Sequence, residues 1–429
     1  MKRTIAYLAT LAVIVSAWAK DSKDIIKTGW NFGPLPVVGF DSDLGFQYGI
    51  CCDIFNFGNG SNYPQYDYKI NVEASTYTKG SSVLRTYGDF KTLIPNGKLF
   101  FDVTYFNNPK FGFYGYNGFA TAYSPDIVSW MPGAEVSDDA KSGFNYMSRK
   151  QFRALASIRK TISGNLSAAA GVAFYHITAD RLDLNDYNGQ YTLYDNYVAA
   201  NLIHENEKNG GNVTQLRVGM VYDSRNHDSD PTRGENIEVS LIYSPDIIDG
   251  RGYSNLGFHM SISQFLPVYS ERLTLAYRAL VQANLSGDIP FFFTNNINSM
   301  FFRKMYTEGV GGSASVRGMN RNGVLSNGFA MFNLELRWHI YDFKFINQNW
   351  QIVTNPYFDA GKVLQAYRLD EQKESGLYYG DEYAPHYTAG LGIKLIMNHN
   401  MVVSFEVGKP FRKNDGDGLW TNVGFNYLF

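Results

Sequence analysis

The chain has only two cysteines, Cys51 and Cys52, and they are adjacent. Neighbouring residues of a strand point to opposite faces, so no disulfide framework exists and two unpaired thiols are expected. The formal net charge is −2, which leaves no positive surplus for a nucleic-acid backbone. Beyond Ala19 no apolar run approaches the ~20 residues that a spanning helix needs, which excludes an ordinary helical membrane protein. A G-x-S-x-G elbow, an H-E-x-x-H pair and a phosphate loop are also missing. Asn414-Asp415-Gly416-Asp417-Gly418 lacks the spaced ligands and closing Glu of a calcium loop and reads as a solvated external turn. Neither a metal nor a cofactor is expected. What the chain has in quantity is 31 Tyr, 31 Phe and 41 Gly with 18% charged residues, a composition suited to a large antiparallel sheet with aromatic belts at a water–lipid boundary.

Lys2 and Arg3 precede an apolar stretch from Ile5 to Val15, followed by Ser16-Ala17-Trp18-Ala19, the small-residue pattern at which an export leader is cut. Residues 1–19 are therefore expected to be a signal peptide. No cysteine follows the cut, so a lipoprotein leader is not expected. Residues 20–33 are expected to form a short periplasmic segment, too small to fold independently. Residues 34–429 are expected to form one domain, the barrel.

Periodicity sets the fold class. Leu273, Leu275, Tyr277, Ala279, Val281 and Ala283 alternate with Thr274, Ala276, Arg278, Gln282 and Asn284. Tyr387, Ala389, Leu391, Ile393 and Leu395 alternate with Thr388, Gly390, Gly392 and Lys394. A period of two with one greasy and one wet face means strands. In a soluble sandwich the greasy faces meet a second sheet; in an outer-membrane barrel they meet lipid and the wet faces line a lumen. The connections favour the barrel. Short ones at 95–98, 163–165, 268–271 and 397–400 alternate with long ones near 107–148, 180–212, 287–328 and 363–385, the asymmetry of periplasmic turns and external loops. Val423, Phe425, Tyr427 and Phe429 carry the apolar alternation to the last residue. The expectation is an all-β, transmembrane, sixteen-stranded antiparallel barrel, with strands near 34–40, 45–55, 67–78, 82–93, 99–107, 149–162, 166–178, 213–223, 235–244, 253–266, 272–286, 328–340, 351–361, 386–396, 401–408 and 420–429. With an even count, both ends fall on the periplasmic side.

One loop stands out. Gly311-Gly312-Ser313-Ala314-Ser315-Val316-Arg317-Gly318-Met319 lies in an insertion of about forty residues, far longer than an ordinary hairpin connection. Phe332, Leu334, Leu336 and Trp338 alternate with Asn333, Glu335, Arg337 and His339, and Tyr357-Phe358-Asp359-Ala360-Gly361 follows. By pleat geometry Glu335 and Asp359 face the wet side, where a guanidinium carried inward by the loop would bind both carboxylates.

Val316-Arg317-Gly318, Leu334-Glu335-Leu336 and Phe358-Asp359-Ala360-Gly361 together resemble the BamA-like superfamily, also called the bacterial surface antigen family. Tyr222-Asp223-Ser224-Arg225 with Pro231-Thr232-Arg233-Gly234, and the opening hairpin from Val37 to Phe46, resemble further parts of the same barrels. The resemblance implies sixteen strands, a lumen-plugging external loop whose arginine pairs with inward carboxylates, and work on inserting or exporting outer-membrane proteins. Two features depart from the pattern. Met319 follows Val-Arg-Gly where an aromatic is usual, and the periplasmic POTRA domains are missing.

Arg317, Glu335 and Asp359 read either as a latch that holds the loop in the lumen or as part of the machinery that moves clients. Asp223, Arg225 and Arg233 read as a paired periplasmic turn, since Asp, Pro and Gly are ordinary turn formers. Pro34 and Pro36 delete donors from one edge of the first strand. If that edge faces the closing strand, with Phe425, Tyr427 and Phe429, the seam is short of hydrogen bonds and opens toward lipid; alternatively the prolines only lead into a strand starting near Val37. The expected role is not enzymatic: a barrel that assists insertion or passage of proteins or lipids, with outer-membrane lipid, client proteins and accessory subunits as partners. The alternatives are a structural or passive channel and, third, a hydrolase built around a histidine such as His259 or His386.

Overall fold

The computed structural model describes residues 25–117, 130–132, 143–183, 191–301, 309–378, 380–416, 418–425 and 427–429. The expected signal peptide, residues 1–19, lies outside the described residues, as does Asp417. Sixteen strands follow one another along the chain: β1 (Trp30–Asp41), β2 (Gly45–Asn56), β3 (Tyr68–Tyr77), β4 (Ser82–Phe90), β5 (Gly97–Gly112), β6 (Tyr146–Ser163), β7 (Leu166–Asp180) and β8 (Gly210–Asp223). The second half comprises β9 (Gly234–Ser244), β10 (Asn255–Pro267), β11 (Leu273–Gly287), β12 (Gly328–Phe345), β13 (Gln348–Gln365), β14 (His386–Met397), β15 (Met401–Pro410) and β16 (Trp420–Phe425). Each pairs antiparallel with its sequence neighbours, and β16 returns to β1, closing a barrel.

The pleat explains which side chains go where. In β14, Tyr387, Leu391 and Ile393 are 38%, 45% and 50% exposed, while Thr388 and Lys394 are wholly buried. Large apolar groups thus cover the outside and polar ones line the inside. That inversion suits hydrocarbon around the barrel and contradicts a sandwich, in which the greasy faces would be covered by protein. A register slip of one residue would reverse the two faces, so the alternation fixes the pairing.

The barrel has a terminal rim, where β1 starts and β16 ends, and an opposite loop rim. The long connections β5–β6, β7–β8, β11–β12 and β13–β14 all lie at the loop rim. Among the described residues they bring two short helices, α1 (Leu193–Ala199) and α2 (Leu369–Glu374). α1 starts with a capping box between Thr192 and Asp195. Its Tyr197 packs edge-on against Phe113 at 5.2 Å and Tyr116 at 5.0 Å, part of an aromatic cluster beneath this rim.

Three expectations are corrected. The first strand begins at Trp30, four positions before the expected 34, so Pro34 and Pro36 sit inside a strand rather than lead into one. The closing strand stops at Phe425. Tyr427 and Phe429, expected on the greasy outer face, turn into the lumen, where the Arg337 guanidinium stands 3.9 Å over the Tyr427 ring and 4.9 Å over the Phe429 ring. Tyr427 also packs with the inward residues Val353, Ile396 and Val402. A buried cation between aromatic faces outweighs local alternation there.

Candidate functional site: a charge latch and a short seam

Residues 309–325 of the connection between β11 and β12 run inside the barrel. Almost every residue of 309–325 is buried. Val310, Val316, Met319 and Val324 pack with Leu280, Phe329, Met331 and Val363 in one cluster, so the Met that replaces an aromatic is a core residue here. Gly361 admits this packing: a Cβ there would lie 2.3 Å from Val310 Cγ1 and 3.1 Å from Val316 Cγ2. Gly318 has φ +97 and lies against the β15 backbone, a conformation that other residues rarely adopt.

These contacts deliver Arg317 to the wall. Its Nε donates to Asp359 Oδ2 at 2.8 Å and its Nη2 to Asp359 Oδ1 at 3.0 Å, a bidentate pair to which its backbone N–H adds a third bond at 3.0 Å. Nη1 donates to Glu335 Oε1 at 2.6 Å and to Glu406 Oε1 at 2.8 Å. The guanidinium also stacks 3.8 Å over the Tyr357 ring. Sequence reasoning named Glu335 and Asp359, and the structure brings both to Arg317.

It did not name Glu406. The residue sits on the inward face of β15 between Val403, Phe405 and Val407, a lone carboxylate in a greasy alternation, and that was the available signal. Arg337 Nε donates to Glu335 Oε2 at 2.8 Å, and Lys394 Nζ donates to Glu406 Oε1 at 2.6 Å. Three cations thus alternate with three carboxylates along β12 to β15. Because every member is buried, each charge depends on its neighbours for compensation. The arrangement binds the loop to the wall.

The seam is built differently. β1 runs beside β2 along its whole length, yet it meets β16 at only two register positions among the described residues, Phe40 opposite Val423 and Asp41 opposite Asn422. Ser42 extends the contact: its N–H donates to Thr421 O at 3.1 Å, and its hydroxyl accepts from Thr421 N at 2.8 Å. That first bond fixes the parity. Residues an even number of positions from Ser42 direct their backbone polar groups toward β16, so Pro34 and Pro36 remove donors from the free edge. Phe425 pairs with Val403 of β15, not with β1.

Loop and seam are tied together. Arg321, four residues after Arg317, forms a buried ion pair with Asp41, and its Nε lies 3.6 Å from Asp43 Oδ2. Asn320 N donates to Asp415 O at 2.7 Å, and Asp415 pairs with His386 Nδ1 at 2.8 Å. Asp415 is buried, so the turn read as solvated is anchored in protein. His386 is a fastener in it.

At the terminal rim the segment 224–233 folds inward. Arg225 grips Asp223 with bonds of 2.9 and 3.0 Å, and Arg159 reaches the same carboxylate at 3.1 Å. Arg233 does not join them and faces Glu271 at 3.4 Å on the surface. Asp230 lies 3.3 Å from His399 Nδ1 and 3.7 Å from His339 Nε2, while His227 stacks on His399 at 5.1 Å. His259 is fully buried on β10.

A closed antiparallel sixteen-stranded wall, greasy outside, with an arginine-tipped loop bound to carboxylates inside, defines the class of BamA-like outer-membrane barrels. The model of the Omp85 superfamily domain matches residues 65–427, and the chain belongs to that superfamily. BamA from Haemophilus ducreyi lacking POTRA domains 1-3 superposes with a TM-score of 0.56 at 15% identity, over 93% of this chain and 70% of that one. CdiB from Escherichia coli gives 0.52 at 11% identity, over 94% of this chain and 63% of that one, so the chain spans less than two thirds of CdiB. No curated protein sequence matches.

Proposed function

We propose that this chain sits in the outer membrane of a Gram-negative cell and assists the insertion or passage of proteins or lipids by opening between β1 and β16. The observation that carries the reading is the seam. A wall held elsewhere by long ladders is joined at this place by Phe40, Asp41 and Ser42, next to an edge that two prolines have stripped of donors. Hydrogen bonds between strands are what separate lumen from bilayer, so the shortest ladder is where the wall parts. Residues 309–325, buried inside the barrel and held there by Arg317, support this reading over a passive channel. The rim where β1 starts and β16 ends faces the periplasm, the partners are membrane lipid with client proteins or accessory subunits, and membership of the Omp85 superfamily supports such work.

The test is a cross-link. Phe40→Cys with Val423→Cys, in a background of Cys51→Ser and Cys52→Ser, closes the seam on oxidation. In liposomes, the oxidised protein is expected to lose both lipid flip-flop and assembly of an unfolded barrel, with reductant restoring them. Full activity with the seam locked overturns the proposal.

A further inference from the structure

Two cavities lie on opposite sides of the wall beside the seam. Inside is a chamber of about 80 Å³, lined by Asp53, Lys69, Glu73 and Arg85 and by the β16 residues Asn422 to Phe425. Outside is an open groove of about 500 Å³, formed by Pro34, Pro36, Ile50, Cys52, Val72 and Ala74. Cys51 borders both, so a single layer of residues separates them, and the unpaired edge of β1 runs alongside. The outer groove is apolar and bathed in hydrocarbon; the inner chamber is charged.

The charges in the chamber are unevenly matched. Asp53 has Lys69 at 3.3 Å, Asp41 has Arg321, and Arg85 has Asp102 at 2.7 Å. Glu73 is 6% exposed and accepts hydrogen bonds on one oxygen, from Gln47 at 3.1 Å and Ser75 at 2.7 Å. Among the described residues no cation lies within ion-pair distance of it. Arg85 lies opposite Glu73 in register but directs its Nε and Nη2 to Asp102. A buried carboxylate with no ion pair of its own, beside a chamber that holds cations, is complementary to a group carrying an ammonium and a phosphate together.

We propose that chamber and groove form one site for an amine-bearing zwitterionic phospholipid: an acyl chain lies in the groove, the headgroup enters through the seam, and Glu73 receives the ammonium while Lys69 faces the phosphate. The site rests on the seam reading above and names its substrate. Lipid suits this edge better than a client strand. A strand laid against β1 finds no donor at Pro34 or Pro36, whereas a lipid needs none.

The experiment uses the whole chain in liposomes and follows dithionite bleaching of phosphatidylethanolamine and phosphatidylglycerol, each labelled on the acyl chain so that the headgroup is intact. The amine-bearing lipid is expected to cross at least tenfold faster. Glu73→Gln should bring its rate down to that of phosphatidylglycerol, leaving the latter unchanged. Ala74→Phe, which fills the groove from outside and touches no lumen residue, should slow both lipids and keeps the site testable if Glu73→Gln fails to fold. Equal rates for the two lipids in the wild type, or a headgroup preference that survives Glu73→Gln, overturn the site while leaving the seam standing. Rates of both lipids that ignore the Phe40–Val423 cross-link remove seam and site together. Assembly of an unfolded barrel without any lipid movement overturns the lipid site alone.

Discussion

Along β12 to β15 the strands are held by long ladders and, on the lumen side, by three cations interleaved with three carboxylates. On the β16 side of β1 below Phe40, no ladder exists among the described residues, and Pro34 and Pro36 offer no donor to one. Both regions are strands of one sheet with the same greasy exterior. Their difference shows that a barrel wall need not be uniformly strong, and that the bulkiest polar investment sits away from the weak place. Arg321 connects the two, since it leaves the latched loop and ends on Asp41, one of the two residues of β1 in register with β16.

The largest effect on this contrast is expected from Arg317→Ala. It leaves Asp359 and Glu406 short of positive charge in a buried site, a cost of about 3–5 kcal/mol for a broken buried pair. The unfolding temperature on heat-modifiable gels should fall, and trypsin should cut within 309–325; an unchanged cleavage pattern would sink the latch. Arg321→Ala should act at a distance, at about 1.5–3 kcal/mol for a hydrogen bond to a charged group. Amide exchange at Val423 should accelerate while the β12–β13 amides keep their protection, and equal acceleration in both places would mean that loop and seam are not coupled. In the unaltered protein, Phe40 and Val423 amides should exchange about a hundredfold faster than those of β12, some 2.7 kcal/mol less local protection. Uniform exchange around the barrel would erase the comparison.

The smallest effect concerns pH at the terminal rim. Burial disfavours the Asp230 carboxylate, but the hydrogen bond from His399 and the charges of His339, His399 and Arg337 prevail and hold its pKa below the usual range. Burial, and then His399, hold the His227 imidazole below its ordinary value. Both groups bind fewer protons folded than unfolded, so their contribution is present above the unfolded pKa and is lost as pH falls. For His227 the loss begins below about 6.5, and for Asp230 below about 4. Proteolysis within 224–233 should quicken a few fold between pH 7.5 and 5.5, and His227→Asn should flatten that response.

Much of the latch was legible because strand parity is local. Glu335 and Asp359 sit on the wet side of their own alternations, and an arginine among glycines in a long insertion has few other uses. Glu406 and Lys394 show the same parity, but nothing in the chain says that β14 and β15 bring them to the same guanidinium. The fate of Tyr427 and Phe429 was misread for the converse reason. Their alternation says lipid, and only the position of Arg337, 92 residues before Phe429 in the chain, turns them inward. Pro34 and Pro36 were readable as missing donors, yet which neighbour lost them depended on the bond from Ser42 to Thr421.

By itself the amino-acid order determined which side of each strand is greasy, because successive side chains of an extended backbone must point to opposite faces. From that came the number of strands, the lipid-facing exterior and the inward carboxylates. Where the cylinder closes, how short its last ladder is and which charges meet inside were decided only by the tertiary structure. Closure sums the register and tilt of all the strands, and no local stretch contains that sum.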